Sequence, residues 1–230
     1  MAVSYEHLVW LMESLDKYNA TLGDGITRYT FSAEYEAMRE FVIDQMEEIG
    51  LSVNIDGFGN TFGTLETENT SLPPVYIGSH IDSVPRGGRF DGVLGVLAAI
   101  ETARTIVLDS TRLTRPLVVV IFAEEEGGRF GQVMAGSRAL VGRLSKKQLY
   151  ELKDAQGITY EQALATHGYS NMPWKVLTPG SVHCMLEAHI EQSVVLERNR
   201  KTIGIVESIA GIQQSTMEAG EWQTTPAQRR

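Results

Sequence analysis

The sequence predicts an α/β fold, a three-layer α/β/α sandwich, on three observations. Residues 75–79 (VYIGS) are a short apolar run that stops at Gly78 and Ser79, the pattern of a buried strand. Residues 117–123 (LVVVIFA) are a longer, unbroken apolar run, as expected of a strand covered on both faces in a parallel sheet. A strongly apolar helical pattern over residues 92–107 lies between them. Strand, helix and strand then form one βαβ unit, with further helices before and after it.

Taken in order, residues 4–18 set Leu8, Leu11, Met12 and Leu15 at helical spacing. A polar loop with Gly23 and Gly25 follows. Ser32 reads as an N-cap, with Glu34 and Glu36 opposing the dipole, and Gly50 as the glycine that ends this second helix. Residues 51–55 alternate as a strand, Asp56-Gly57 turns, and residues 60–65 return, predicting a hairpin or β-meander at the sheet's edge. The helix after residue 92 carries Val93, Val96, Leu97, Ile100 and Ala103 on one face, with Asp91 placed to cap it. Residues near Met134, Ala139 and Leu140 are helical or irregular. Thr159 with Gln162 predicts a capping box at the start of a further helix. Residues 185–190 form a strand-like unit holding Glu187 and His189, with Glu191 next to it, and residues 202–210 read as another strand. Periodicity fades after Gly211.

The 230 residues suffice for one sizeable core and part of a second domain. With 43% hydrophobic and 21% charged residues, the chain is neither disordered nor fibrous. A net charge of -9 and no basic run with interleaved aromatics argue against nucleic acid as a partner. No stretch reaches the roughly 18 uncharged apolar residues of a membrane span, and the first residues, with Glu6 and His7, do not read as a basic-then-apolar leader. The single cysteine, Cys184, excludes an internal disulfide and fits a reducing, cytoplasmic setting; in its apolar stretch it reads as core or incidental.

Four residues at strand ends or a helix start carry the chemistry: His80, Asp91, Glu126 and His189. Imidazoles mixed with carboxylates suit Zn²⁺, Mn²⁺, Co²⁺ or Ni²⁺, and an aspartate can bridge two ions roughly 3.5–4 Å apart. Taken singly, each has a plainer reading: His80 as a strand-end histidine, Asp91 as a helix cap, His189 as a sheet histidine. Glu124, Glu125 and Glu126 say more. Three carboxylates directly after a buried strand crowd like charges near the interior, so one or more is expected to protonate. A solvated acidic turn before Gly127-Gly128 is the alternative. In the functional reading Glu126 holds a metal while Glu125 takes a proton from water and passes it to a leaving nitrogen.

Three blocks in order, GSHIDSVPRGGRFDG, FAEEEGGRFG with the following MAGSRALVG, and LEAHIEQSVVLE with IGIVESIAG, resemble the M20-type metallo-amidases. The branch is that of N-carbamoyl-L-amino-acid hydrolases, allantoate amidohydrolases and related ureido hydrolases. The likeness implies a zinc-exopeptidase-like catalytic domain and hydrolysis of a ureido or amide C–N bond, with dipeptidase or deacylase chemistry as the M20 alternative. It implies His80, Asp91, Glu126 and His189 as ligands of two divalent ions. Asp91 bridges them, Glu125 is the base, Asp82 orients His80, and Gln192 faces the substrate. The peptide bond after the bridging aspartate is commonly cis in such proteins. The resemblance further implies a homodimer.

The sequence also departs from that pattern. Ser193 replaces a glycine, and the late histidine and HAGTTPM-like segment of the family have no match beyond Thr224, Thr225 and Pro226. Residues 1–210 are therefore expected to be the N-terminal part of the catalytic domain and residues 211–230 the start of a truncated lid or dimerisation domain. The second metal position then lacks a ligand in this chain, and a catalytically inactive remnant is the alternative function.

Overall fold

The computed structural model describes residues 3–68 and 71–209. The chain divides into two compact units, Met1–Ile190 and Glu191–Arg230. The expected lid segment, residues 211–230, lies outside the described residues.

The first unit opens with helices α1 (Tyr5–Leu15) and α2 (Ala33–Glu48), each started by a serine whose hydroxyl accepts an amide of its own first turn, Ser4 from His7 and Ser32 from Tyr35. Strands β1 (Ser52–Ile55) and β2 (Thr61–Leu65) form the predicted antiparallel hairpin. Strand β3 (Val75–His80), helix α3 (Val93–Leu108) and strand β4 (Leu117–Phe122) are the predicted βαβ unit, and β3 and β4 run parallel. Helices α4 (Ala135–Leu140), α5 (Lys146–Glu151) and α6 (Tyr160–Thr166) precede the short strand β5 (Cys184–Leu186). Thr159 and Gln162 close the capping box on α6.

The sheet order is β1-β2-β4-β3-β5, with β5 parallel to β3 and the hairpin antiparallel to β4. All six residues of β4 are buried, as its continuous apolar run requires. Its closeness to β3 depends on Gly78, which sits at φ +148° and pairs with Val120; a Cβ there would stand 1.9 Å from the Val120 carbonyl oxygen. One face of the sheet (Ile77, Val119, Ile121) shares a core with Leu11 and Leu15 of α1, Met38, Val42 and Met46 of α2, and Val96, Leu97 and Ile100 of α3. The other face (Phe62, Tyr76, Val118, Val120, Phe122) is covered by Leu140, Leu177 and Val182. The Lys175 ammonium lies 4.0 Å from the centre of the Phe62 ring on this side.

Four local expectations change. Helix α3 begins at Val93 with Gly92 as its N-cap at φ +65°, and no side chain caps it. Asp91 contributes its carbonyl to the Val93 amide (2.7 Å) rather than its carboxylate to the helix. Among the described residues no peptide bond is cis; the left-handed Gly92 makes the turn after Asp91. Strand β5 stops at Leu186, so His189 stands beyond it; Cys184, the first residue of β5, is exposed, in keeping with its incidental reading. Within the second unit the described residues of the 202–210 segment form no strand, and Ile203, Ile205, Val206 and Ile209 are exposed. An alternating apolar pattern becomes a strand only where a neighbour completes its hydrogen-bond ladder.

Candidate metal centre

Parallel strands β3, β4 and β5 end on the same edge of the sheet, where open α/β sheets place their ligands. His80 is the last residue of β3; Glu124, Glu125 and Glu126 follow β4; His189 follows β5. Asp91 arrives on the loop between β3 and α3. That loop is tied to residues 16–28: the amides of Gly87 and Arg86 reach the Ile26 carbonyl (2.7 Å) and the Thr27 hydroxyl (2.9 Å). The Arg89 guanidinium grips both oxygens of Asp16 at 2.7 and 2.8 Å. Gly92 is required at the end of the loop because a Cβ would stand 2.4 Å from the His80 ring.

The His189 segment is held in two ways that sequence reading did not identify. On α3, Gly95 admits the Ala188 carbonyl, which would lie 2.4 Å from any Cβ at that position. Ser79, next to His80, donates its hydroxyl to Glu187 Oε1 at 2.5 Å. The only signal for that bond was that Ser79 and Glu187 lie in the two blocks that carry the histidines. His189 Nδ1 is 2.9 Å from the Ile190 carbonyl, and Nε2 lies 3.2 Å from Asp91 Oδ1.

The outcome is a group of three potential ligands, His80, Asp91 and His189, with one donor atom from each within 4.8 Å of the others. Glu126 Oε1 stands 4.0 Å from His80 Nε2. Gln192 belongs to the second unit, whereas the other six predicted site residues belong to the first.

Asp82 is fully buried, and its contacts differ from a simple histidine–carboxylate pair. His80 Nδ1 meets the Asp82 backbone carbonyl at 3.0 Å, with the nearest carboxylate oxygen farther off at 3.8 Å. The carboxylate instead accepts the amides of Glu125 (3.2 Å) and Glu126 (3.0 Å). One residue thereby connects the β3 histidine to both of these glutamates.

The electrostatics follow from this crowding. Burial pushes Glu124 up to about 7, reinforced by the Asp82 charge and opposed by the Phe130 amide. Burial also raises Glu125 to about 7, against hydrogen bonds from Ser137 and the attraction of His80. Glu126 is raised by desolvation, with His80 pulling it down and Asp91 and Asp82 pushing it up. Burial opposes a charge on His80, yet Asp82, Glu126 and Glu125 outweigh it and hold the imidazole above its ordinary range. The expectation that crowded glutamates would favour protonation is met. His80, Asp91 and His189 form a mixed imidazole–carboxylate donor set, and the Glu126 carboxylate stands 4.0 Å from His80; a divalent cation would offset the negative charge of these carboxylates, so the residues fit a metal.

Two imidazoles and a carboxylate gathered at the downstream ends of parallel strands, beside carboxyl groups raised toward neutrality, have the make-up of a metal-binding centre. The chain belongs to the peptidase family M20/M25/M40, whose profile matches residues 76–228. It is 40% identical over 215 residues to an N-carbamoyl-L-amino-acid amidohydrolase of Pseudomonas sp. (strain NS671), covering 92% of this chain and 52% of that protein. It is 32% identical over 200 residues to an allantoate amidohydrolase of Bacillus subtilis (strain 168), covering 87% of this chain and 48% of the relative. A crystal structure of a hydantoinase/carbamoylase family amidase from Burkholderia ambifaria superposes with a TM-score of 0.84 at 35% identity, covering 89% of this chain and 49% of that one. The chain thus spans about half the length of the relatives it matches.

Proposed function

We propose that this chain carries the N-terminal part of the catalytic domain of a metal-dependent amidohydrolase. Its substrate is a linear ureido or amide compound, an N-carbamoyl-L-amino acid or an allantoate-like molecule. The observation that carries the reading is the convergence of His80, Asp91 and His189 donor atoms within 4.8 Å. Similarity to amidohydrolases that act on such compounds supports the substrate class.

His80, Asp91 and His189 would hold one divalent ion, and Asp91 with Glu126 would contribute to a second, for which no further ligand stands among the described residues. When bound, such ions supply Lewis acidity to a carbonyl oxygen and acidify water. Glu125 is the general base: it takes a proton from the attacking water and returns it to the leaving nitrogen. A carboxyl group raised to about 7 suits both halves of that task at neutral pH. The buried Asp82 carboxylate holds the Glu125 and Glu126 amides, and its carbonyl sets the His80 tautomer with Nε2 free for the ion. The resemblance to the family assigns Gln192 a substrate-binding role. We assign the ion to Zn²⁺, Mn²⁺, Co²⁺ or Ni²⁺, residues 211–230 to the opening of a lid domain, and the whole enzyme to a cytoplasmic homodimer.

Metal titration and ammonia release test this reading together. The wild-type chain should bind one equivalent of Mn²⁺ or Zn²⁺ tightly, and His189→Ala or Asp91→Asn should weaken that binding at least about 10-fold. Any hydrolysis of N-carbamoyl-L-amino acids or allantoate should vanish in Glu125→Ala. A wild-type chain that binds no metal refutes the assignment; metal binding without hydrolysis favours a remnant that has kept the centre alone.

A further inference from the structure

Glu124 has no part in the chemistry proposed above, yet its surroundings are unusual. It is fully buried, and it is a non-glycine residue at φ +55°, in the left-handed region that side chains avoid. Its Oε1 accepts two amides from farther along the same loop, Phe130 at 2.6 Å and Arg129 at 3.2 Å. Its Oε2 is buried and accepts no hydrogen bond. Its own amide donates to the Thr30 hydroxyl (3.1 Å), and its carbonyl receives the Ala135 amide (2.9 Å). The Arg129 side chain closes the outside of the turn, bonding the Thr30 carbonyl (2.8 Å) and Asp154 Oδ2 (3.1 Å).

Residues 124–130 therefore wrap around one carboxylate. A neutral side chain would satisfy the same amides with a smaller desolvation penalty. What the arrangement secures lies at the next two positions. Glu125 has its carbonyl on the Met134 amide (2.8 Å), and Glu126 reaches toward His80. We propose that Glu124 is a positioning residue of the metal centre: its grip on the Arg129 and Phe130 amides fixes the turn that directs Glu125 and Glu126 to separate tasks. This inference rests on the metal-centre reading above.

The test is Mn²⁺ titration by calorimetry of the full chain, wild type against Glu124→Ala, Glu124→Gln, Glu126→Ala and the Glu124→Ala/Glu126→Ala double variant. Glu126 Oε1 lies 4.0 Å from His80 Nε2, so its charge bears on the ion that His80, Asp91 and His189 would hold, and Glu124→Ala should weaken Mn²⁺ binding about 10-fold, the scale of losing a group that orients a ligand. Glu124→Gln keeps an acceptor for the two amides and should restore binding to near wild type. In the Glu126→Ala background the Glu124→Ala change should add nothing, because its effect runs through Glu126. A fall in melting temperature with unchanged Mn²⁺ affinity, an equal loss in both backgrounds, or equal weakening by Gln and Ala overturns the inference. If Glu124→Ala does not fold, Glu124→Asp, too short to reach both amides, is judged by the same criteria. No Mn²⁺ binding by the wild type overturns the metal reading and this inference together; wild-type binding that Glu124→Ala leaves intact overturns this inference alone.

Discussion

Replacing Asp82 separates two jobs that the structure assigns to different atoms of one residue. Asp82→Ala removes a fully buried carboxylate that accepts the Glu125 and Glu126 amides, and both donors lose their partner. Hydrogen bonds to a charged acceptor contribute about 1.5–3 kcal/mol each, so the gross loss is about 3–6 kcal/mol. Relief of repulsion returns part of it, since the Asp82 charge helps to push up Glu124, Glu125 and Glu126. One unit of carboxyl pKa is worth about 1.4 kcal/mol, which leaves a net destabilisation of about 2–5 kcal/mol. With a urea m-value of roughly 3 kcal/mol/M, the unfolding midpoint should fall by about 1–2 M. The His80 tautomer should survive, because its Nδ1 partner at 3.0 Å is a backbone carbonyl that no side-chain change removes. Asp82→Asn, which keeps one acceptor, should lose less stability and change Mn²⁺ affinity less than His189→Ala does. The reasoning is refuted by a midpoint shift below about 0.2 M in Asp82→Ala, or by a 10- to 100-fold affinity loss in Asp82→Asn at unchanged stability, which would place the orienting role on the carboxylate.

Burial pushes Asp56 to about 6 from an ordinary 3.8, against the Phe58 and Asn60 amides that favour its charge. The folded chain therefore holds a proton that the unfolded chain releases between about pH 4 and 6, and stability falls as pH rises through that window, by at most about 3 kcal/mol. Asp56→Asn should remove this slope, so the gap between its urea midpoint and that of wild type must change between pH 4 and 7; a constant gap refutes the assignment. Gly78→Ala drives a methyl group onto the Val120 carbonyl at the centre of the sheet and should cost more than about 4 kcal/mol, leaving insoluble protein. Gly88→Ala, with nothing within 4 Å, is the matched control and should melt like wild type. Equal solubility of the two variants would contradict the close β3–β4 approach.

The elements written locally were legible. The unbroken apolar run of residues 117–123 became the buried centre of the sheet, and Ser32 and Thr159 cap the helices their spacing announced. The errors fell where a neighbour decides. Asp91 occupies a typical capping position, yet the turn forced by Gly92 moves the cap one residue on and leaves the carboxylate to face His189. The 202–210 pattern alternates as strands do, but alternation supplies only a face, not a partner for the backbone.

The division at the centre itself is similar. The order and spacing of residues determined which chemistry the chain carries: histidine and aspartate after one strand, three glutamates after a second, a histidine in a third block. These are strand-end positions, and a strand end is a local property of hydrophobic pattern and glycine. Only the tertiary structure decided which of them meet. Residues 108 positions apart, Ser79 and Glu187, share a hydrogen bond, and Asp82 lends its carboxylate to glutamates 43 and 44 positions later. Such contacts depend on the register of β3 between β4 and β5, which is set by packing of whole faces and carries no signature in any single stretch of the chain.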